Sequence, residues 1–133
     1  MGVTASDIPR VWPMIEQRVS QACLRSNGRH TPEYILQCLL DRDMQLWVFW
    51  KPESQEIKGI CITEILTFRT GLKAVSGVIC TGRDRAEWAG HRVTIEEWGR
   101  AQGCAAIHIW ARRGWEKDLP DYKLTHVILE KQL

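Results

Sequence analysis

Between residues 44 and 81, three apolar runs rich in β-branched and aromatic residues follow one another with almost nothing between them. Gln45 to Trp50 (QLWVFW), Ile57 to Phe68 and Leu72 to Thr81 (LKAVSGVICT) have the composition of strands. Pro52-Glu53-Ser54-Gln55 and Thr70-Gly71 separate them. Neighbouring strands that run the same way need a crossover of about a dozen residues or more. Connections this short therefore imply an antiparallel meander, and the rest of the chain has to pack around it. In the second run Ile60, Ile62 and Glu64 alternate with Cys61, Thr63 and Ile65. Gly77 interrupts the third run and marks a candidate bulge.

Two helices precede the meander. Ser6-Asp7-Ile8-Pro9 is a helix start, and Val11, Ile15, Val19, Ala22 and Cys23 follow at helical spacing until Asn27-Gly28. Thr31-Pro32-Glu33 is a second start, with Thr31 as cap and Tyr34, Ile35, Leu36, Cys38, Leu39 and Leu40 as its apolar residues. After the meander, a helix is expected from about Arg85 to Gln102, closed by Gly103. Ala105 to Trp110 (AAIHIW) then reads as a strand reached by a crossover, hence parallel to the one before it. A helical turn at Trp115 to Leu119 and a last strand at Lys123 to Lys131 complete the order. The expectation is a single α/β domain over 1–133: a mixed, mostly antiparallel sheet with a central parallel pair, flanked by helices.

Composition narrows the function classes. With 44% hydrophobic and 26% charged residues and a net charge of +2, the chain has a globular make-up and no basic footprint for nucleic acid. Residues 1–13 lack the basic start and apolar core of a signal peptide, and no apolar run approaches the roughly 20 residues of a membrane span. Cys23, Cys38, Cys61, Cys80 and Cys104 are odd in number and contain no CxxC pair, which argues against a disulfide framework or a structural zinc. They read as small core residues of a reduced protein made in a cytoplasm. Seven tryptophans are many for this length and suit cores and interfaces alike.

The element order, with Leu119-Pro120-Asp121-Tyr122 and a closing Leu129-Glu130-Lys131-Gln132-Leu133, resembles that of the GCN5-related N-acetyltransferases over nearly the whole chain. In that family a strand precedes the first helix, and here only Gly2 to Ala5 can supply it. The chain is also similar to small acetyltransferase-like proteins of tailed bacteriophages, through Val11-Trp12-Pro13-Met14-Ile15, Asp43-Met44-Gln45-Leu46-Trp47 and Arg113-Gly114-Trp115.

The resemblance implies an acyl-coenzyme A site in a turn of the form Gln/Arg-x-x-Gly-x-Gly/Ala. Its best match is Arg83-Asp84-Arg85-Ala86-Glu87-Trp88, where Ala86 and Trp88 stand at the glycine positions. Asp84 and Glu87 form a capping-box pattern that uses the same N–H groups a phosphate needs. A carboxylate about 4 Å from a phosphate is repulsive by roughly 1–4 kcal/mol; Arg83, Arg85 and Arg92 offset part of this. The family's general base is often a strand glutamate, and Glu64 is the candidate of that kind. Tyr122 falls at a packing position, His108 reads as a half-buried strand histidine, and His91 as part of a helix face. Arg112, Arg113 and Trp115 are interaction candidates. There is no GxSxG, no GxxxxGK[ST] and no metal-ligand spacing.

Taken together, these residues lead to an expectation that leans away from enzyme. It is a non-catalytic binding or structural module without cofactor in a tailed-phage particle, partnered by other virion proteins at the head–tail junction or among those ejected with DNA. The alternative is an acyl-CoA-dependent N-acetyltransferase using acetyl-CoA, with an atypical pyrophosphate site at Gly82, Arg83 and Arg85 and Glu64 as base.

Overall fold

A computed structural model describes residues 1–82, 89–111 and 114–133. Strand β1 (Gly2–Val3) is followed by helix α1 (Ile8–Leu24), helix α2 (Pro32–Leu40), and strands β2 (Gln45–Lys51), β3 (Glu56–Thr67) and β4 (Lys73–Gly82). Helix α3 (Arg92–Ala101) and strand β5 (Ala106–Ile109) come next. Short 3₁₀ turns cover Ala5–Asp7, Ala89–His91 and Trp115–Lys117. The sheet order is β1-β2-β3-β4-β5. Every neighbouring pair is antiparallel except β4 and β5, which run parallel.

The meander forms as the short turns require, and both faces of it are covered. Leu46 and Val48 of β2, Ile60 and Ile62 of β3 and Ile79 of β4 meet Ile8, Val11, Trp12, Ile15 and Val19 of α1 and Ile35, Cys38 and Leu39 of α2. The opposite face carries Trp47, Phe49, Cys61 and Val75 against Ile95 of α3. Thr63, buried on this second face, accepts from the Trp47 indole N–H at 3.0 Å and donates to Gln45 Oε1 at 2.9 Å. The buried Thr63 hydroxyl thus both accepts and donates, as burial demands.

The helix signals act as their chemistry suggests. The Thr31 hydroxyl accepts from the Tyr34 N–H at 3.2 Å, and Pro32 occupies the first turn. Asn27 and Gly28 stop α1 with φ of 54° and 81°. Gly103 closes α3 at φ 81°, and Lys73 Nζ binds the Gln102 carbonyl at 2.6 Å, which fastens the end of α3 to β4. The N-terminal strand is as short as the sequence suggests. Met1 exchanges hydrogen bonds with Val48 at 2.9 and 3.0 Å, and burial lowers the basicity of its amino group.

Two expectations need correction. The segment 123–131 adds no strand. It is solvent-exposed, with Leu124, Val127, Ile128 and Leu129 between 57% and 93% accessible. The residue order LTHVILEK does not alternate cleanly, so no single face of it can be buried by pairing. The parallel pair consequently stands at one end of the sheet instead of its middle. His108, expected half-buried and hydrogen-bonded, is exposed, with its ring 6.3 Å from that of Phe68. Among the described residues β5 is the last strand of the sheet, with no strand beyond it, which is the reason. The expected start of the third helix near Arg85 lies outside the described residues. Among the described residues, no helix is long and apolar enough to cross a membrane.

Candidate functional site

β4 and β5 share only a short ladder. Ala74 to Gly77 pair with Ala106 to Ile109, and the last bond runs from the Trp110 N–H to the Gly77 carbonyl at 3.3 Å. β4 continues to Gly82 with β3 as its only partner among the described residues. The parting begins at an irregularity in β4. Ile62 faces Ile79 while Thr63 faces Gly77, so Val78 is the extra residue of a bulge beside the glycine that signals it. A wedge-shaped opening results in the plane of the sheet, at the carboxyl end of β5.

Concavities lie on both faces of the sheet, and the one on the α3 face draws lining residues from β4 and β5 themselves. On the α3 face lies an apolar cavity of about 40 Å³, with Phe49, Cys61, Cys80, Ile95, Trp115 and Tyr122 in its wall. A water-sized group needs roughly 10–15 Å³ by this measure, so the cavity holds a few heavy atoms. Its rim is polar. The Tyr122 hydroxyl donates to Glu96 Oε2 at 3.3 Å, and Arg92 lies 3.6 Å from both the Glu96 and the Asp121 carboxylates. Burial, and then the Glu96 charge, push the Tyr122 phenol well above its ordinary range, so it stays protonated.

On the α1/α2 face is an open pocket of about 310 Å³ formed by Arg29, His30, Thr31, Tyr34, Met44 and Glu64. The turn after α1 builds its wall. The Ser26 hydroxyl donates to the Cys23 carbonyl at 2.7 Å and accepts from the His30 N–H at 3.1 Å. His30 Nδ1 is buried there without a hydrogen-bond partner among the described residues. Arg29 is neutralised from outside: Glu130, on the C-terminal segment, accepts from it at 3.2 Å and from Asn27 Nδ2 at 3.0 Å. Glu64 reaches the pocket because β3 keeps its alternation, which puts it on the face of Ile60 and Ile62. Among the described residues it makes no ion pair, so the pocket's free charge is negative. The Tyr34 phenol is pushed up, first by its hydrogen bond to Cys38, with Glu64 and Asp43 adding to the effect.

The sequence candidates distribute as follows. Glu64 lines the open pocket, half-buried. Gly82 closes the β3–β4 ladder opposite Gly59. A Cβ there would collide with the Lys58 carbonyl oxygen and come 2.5 Å from Gly59 Cα. Strand packing therefore accounts for this glycine without a phosphate. Arg83, Arg85, Ala86 and Trp88, with the cap Asp84 and Glu87, lie outside the described residues, as do Arg112 and Arg113. Trp115 is half-buried against the second cluster and forms part of the cavity wall. His91 is exposed in the 3₁₀ turn before α3, its ring 5.8 Å from Phe49. Among the described residues no group of three or more His, Cys, Asp or Glu is placed to hold a metal. Sequence reasoning did not single out Arg29, His30 and Tyr34. Their signal was indirect: the cap at Thr31 sets the turn that brings them over β3.

No protein-family model and no curated protein sequence matches the chain. Solved structures do. The BH1408 protein of Bacillus halodurans superposes with a TM-score of 0.67 at 16% identity, covering 100% of this chain and 98% of the other. An aminoglycoside acetyltransferase from an uncultured soil metagenomic sample, in complex with sisomicin, gives 0.68 at 11% identity over 100% and 94%. A ribosomal-protein-alanine N-acetyltransferase of Brucella melitensis gives 0.62 at 16% identity over 98% and 97%. At these identities the likeness is one of fold: the chain has the fold of the GCN5-related N-acetyltransferases. Nothing in these likenesses bears on a phage particle.

Proposed function

We propose that the chain transfers an acyl group from acyl-coenzyme A to an amine, at the opening between β4 and β5. The observation that carries this reading is the parting of the two strands at the Val78 bulge, with an apolar cavity lined by both of them on one face; the acidic pocket lies over β3 on the other face. The cavity suits the acyl end of the donor. It is about 40 Å³ and walled by aromatic, aliphatic and thiol side chains, which is room for an acetyl group and little more. When bound, acyl-CoA supplies a thioester carbonyl as electrophile and a thiolate as leaving group.

The chain's own residues have separable tasks. Glu64, which makes no ion pair among the described residues, attracts the acceptor's ammonium and takes its proton, freeing the nitrogen lone pair. The neutralisation of Arg29 by Glu130 matters here, because a free guanidinium would repel the same ammonium. Tyr122 closes the cavity and ties it to α3 through Glu96.

The test is turnover of acetyl-CoA with a panel of primary amines. Glu64→Gln is expected to lower kcat by roughly 10²–10⁴-fold, the usual worth of a positioned base. Absence of turnover with every amine, or an undiminished Glu64→Gln enzyme, would contradict the reading. The second reading is the non-catalytic module, including its placement in a tailed-phage particle. What favours it is Ala86 and Trp88 at the glycine positions of the phosphate turn. On that reading the protein would co-purify with particles of its source phage.

A further inference from the structure

Two cysteines stand directly opposite each other in the wall of the apolar cavity. Cys61 of β3 is the ladder partner of Cys80 of β4, and their sulfurs are 2.8 Å apart. Residues opposed in an antiparallel ladder are about 4.5–5.5 Å apart at Cα, inside the roughly 4.4–6.8 Å that a disulfide spans. No backbone movement is needed to join them. Both are free thiols. Cys23 and Cys38 belong to the core on the opposite face; Cys104, which follows α3, packs against the same cluster but is not in the cavity wall.

We propose that Cys61 and Cys80 form a peroxide-responsive dithiol that closes reversibly to a cross-strand disulfide in the cavity wall. The inference goes beyond acyl transfer and stands whether or not that reading holds. The two sulfurs are inequivalent. Cys61 is 5% exposed, and its hydrogen bond to Cys80, then its burial, hold its thiol protonated. Cys80 is half-buried and faces the cavity, so it is the sulfur an entering oxidant meets. Its thiolate attacks one oxygen of a hydroperoxide. The O–O bond breaks, the departing oxygen leaves as water or alcohol, and Cys80 becomes a sulfenic acid. The Cys61 sulfur then attacks the Cys80 sulfur. The S–S bond forms, the S–O bond breaks, and the hydroxyl leaves as water with the Cys61 proton. Two thiols and one hydrogen peroxide thus give one disulfide and two waters. A small dithiol reverses the change by exchange.

Peptide mapping of the full chain after hydrogen peroxide tests this. Cleavage after Lys58, Arg69, Lys73 and Arg83 puts the two cysteines in separate peptides, 59–69 and 74–83, with no other cysteine in either. The expected result is one linked pair of these peptides, lighter than their sum by two hydrogens and separated again by dithiothreitol. In Cys61→Ser the sulfenic acid at Cys80 loses its resolving partner and is trapped by dimedone. The proposal is overturned if both peptides keep alkylatable thiols while a free small thiol in the same tube is consumed. It is equally overturned if Cys80 is found linked to Cys104, or if it ends as an irreversible acid in the wild-type chain with Cys61 still free.

Discussion

The two faces of the sheet are built from the same strands and differ in kind. On the α1/α2 face, Ile15, Val19, Ile35, Ile60 and Ile62 are each 0% exposed. On the α3 face, Trp98, Cys104, Ile107 and Trp115 are only half-buried around a smaller closed centre. Beyond them Trp110 is 59% exposed and the C-terminal segment lies open. Close-packed interiors leave no room for a ligand, and binding sites are drawn from the less stable parts of a fold. The α1/α2 face therefore supplies the larger share of the folding free energy, with the Glu64 pocket open at its margin. The α3 face, with its strand gap, thiols and polar rim, keeps its space inside the packing.

The comparison breaks if the two faces respond alike to truncation. Ile60→Ala is expected to cost about 2–5 kcal/mol in chemical denaturation, a large share of a domain's usual 5–15 kcal/mol. Ile107→Ala on the other face should cost about 1 kcal/mol. Equal losses would show that the second face is as tightly packed as the first.

A smaller contrast separates two glycines of β4. Gly82→Ala forces a Cβ onto the Lys58 carbonyl and is expected to cost about 1–3 kcal/mol. Gly77→Ala meets its nearest atom, the His108 carbonyl oxygen, at 3.4 Å and should change stability by no more than about 0.5 kcal/mol. If Gly82→Ala folds with unchanged stability yet loses acetyl-CoA binding, the glycine serves the ligand and the strand-packing account of it is wrong.

Two titrations sharpen the comparison further. Tyr122 is raised in the folded state, so its contribution is complete below the unfolded phenol value of about 10 and is lost as pH rises beyond it. Wild type should lose stability above that pH more steeply than Tyr122→Phe, followed by denaturant midpoint. Identical slopes would mean the hydroxyl is not held in the rim. The smallest effect is at Glu130, whose carboxyl is held low first by hydrogen bonds from Arg29 and Asn27. Its contribution is present above the unfolded carboxyl value of about 4.3 and fades as pH falls through the lower folded one. Glu130→Gln should lower the melting temperature at neutral pH only slightly and alter the Arg29 side-chain signals by NMR. Unchanged signals would place the C-terminal segment away from the pocket.

Short-range chemistry made most of the fold legible. The meander followed from turn lengths, α2 from the Thr31 cap, the end of α3 from Gly103, and the Val78 bulge from its neighbour Gly77. The last strand was misread because residues 123–131 have strand-like composition, while a strand also needs an edge that accepts it. That requirement is tertiary and leaves no mark in the segment itself. Of the residues around the open pocket, only Glu64 was a candidate in the sequence, through the resemblance; the turn that surrounds it with Arg29, His30 and Tyr34 depends on how α1 and α2 lie across β3. The Cys61–Cys80 pair was hidden for a related reason. Register across a bulged ladder, not spacing along the chain, sets the two side by side.

The most direct test of the acyl-transfer account is a calorimetric titration of acetyl-CoA into the protein, repeated while the alkylation rate of Cys80 is followed. The account predicts saturable binding at micromolar concentration, with Cys80 protected as the cavity fills. No heat at protein concentrations well above that range, with Cys80 alkylated at an unchanged rate, would contradict it.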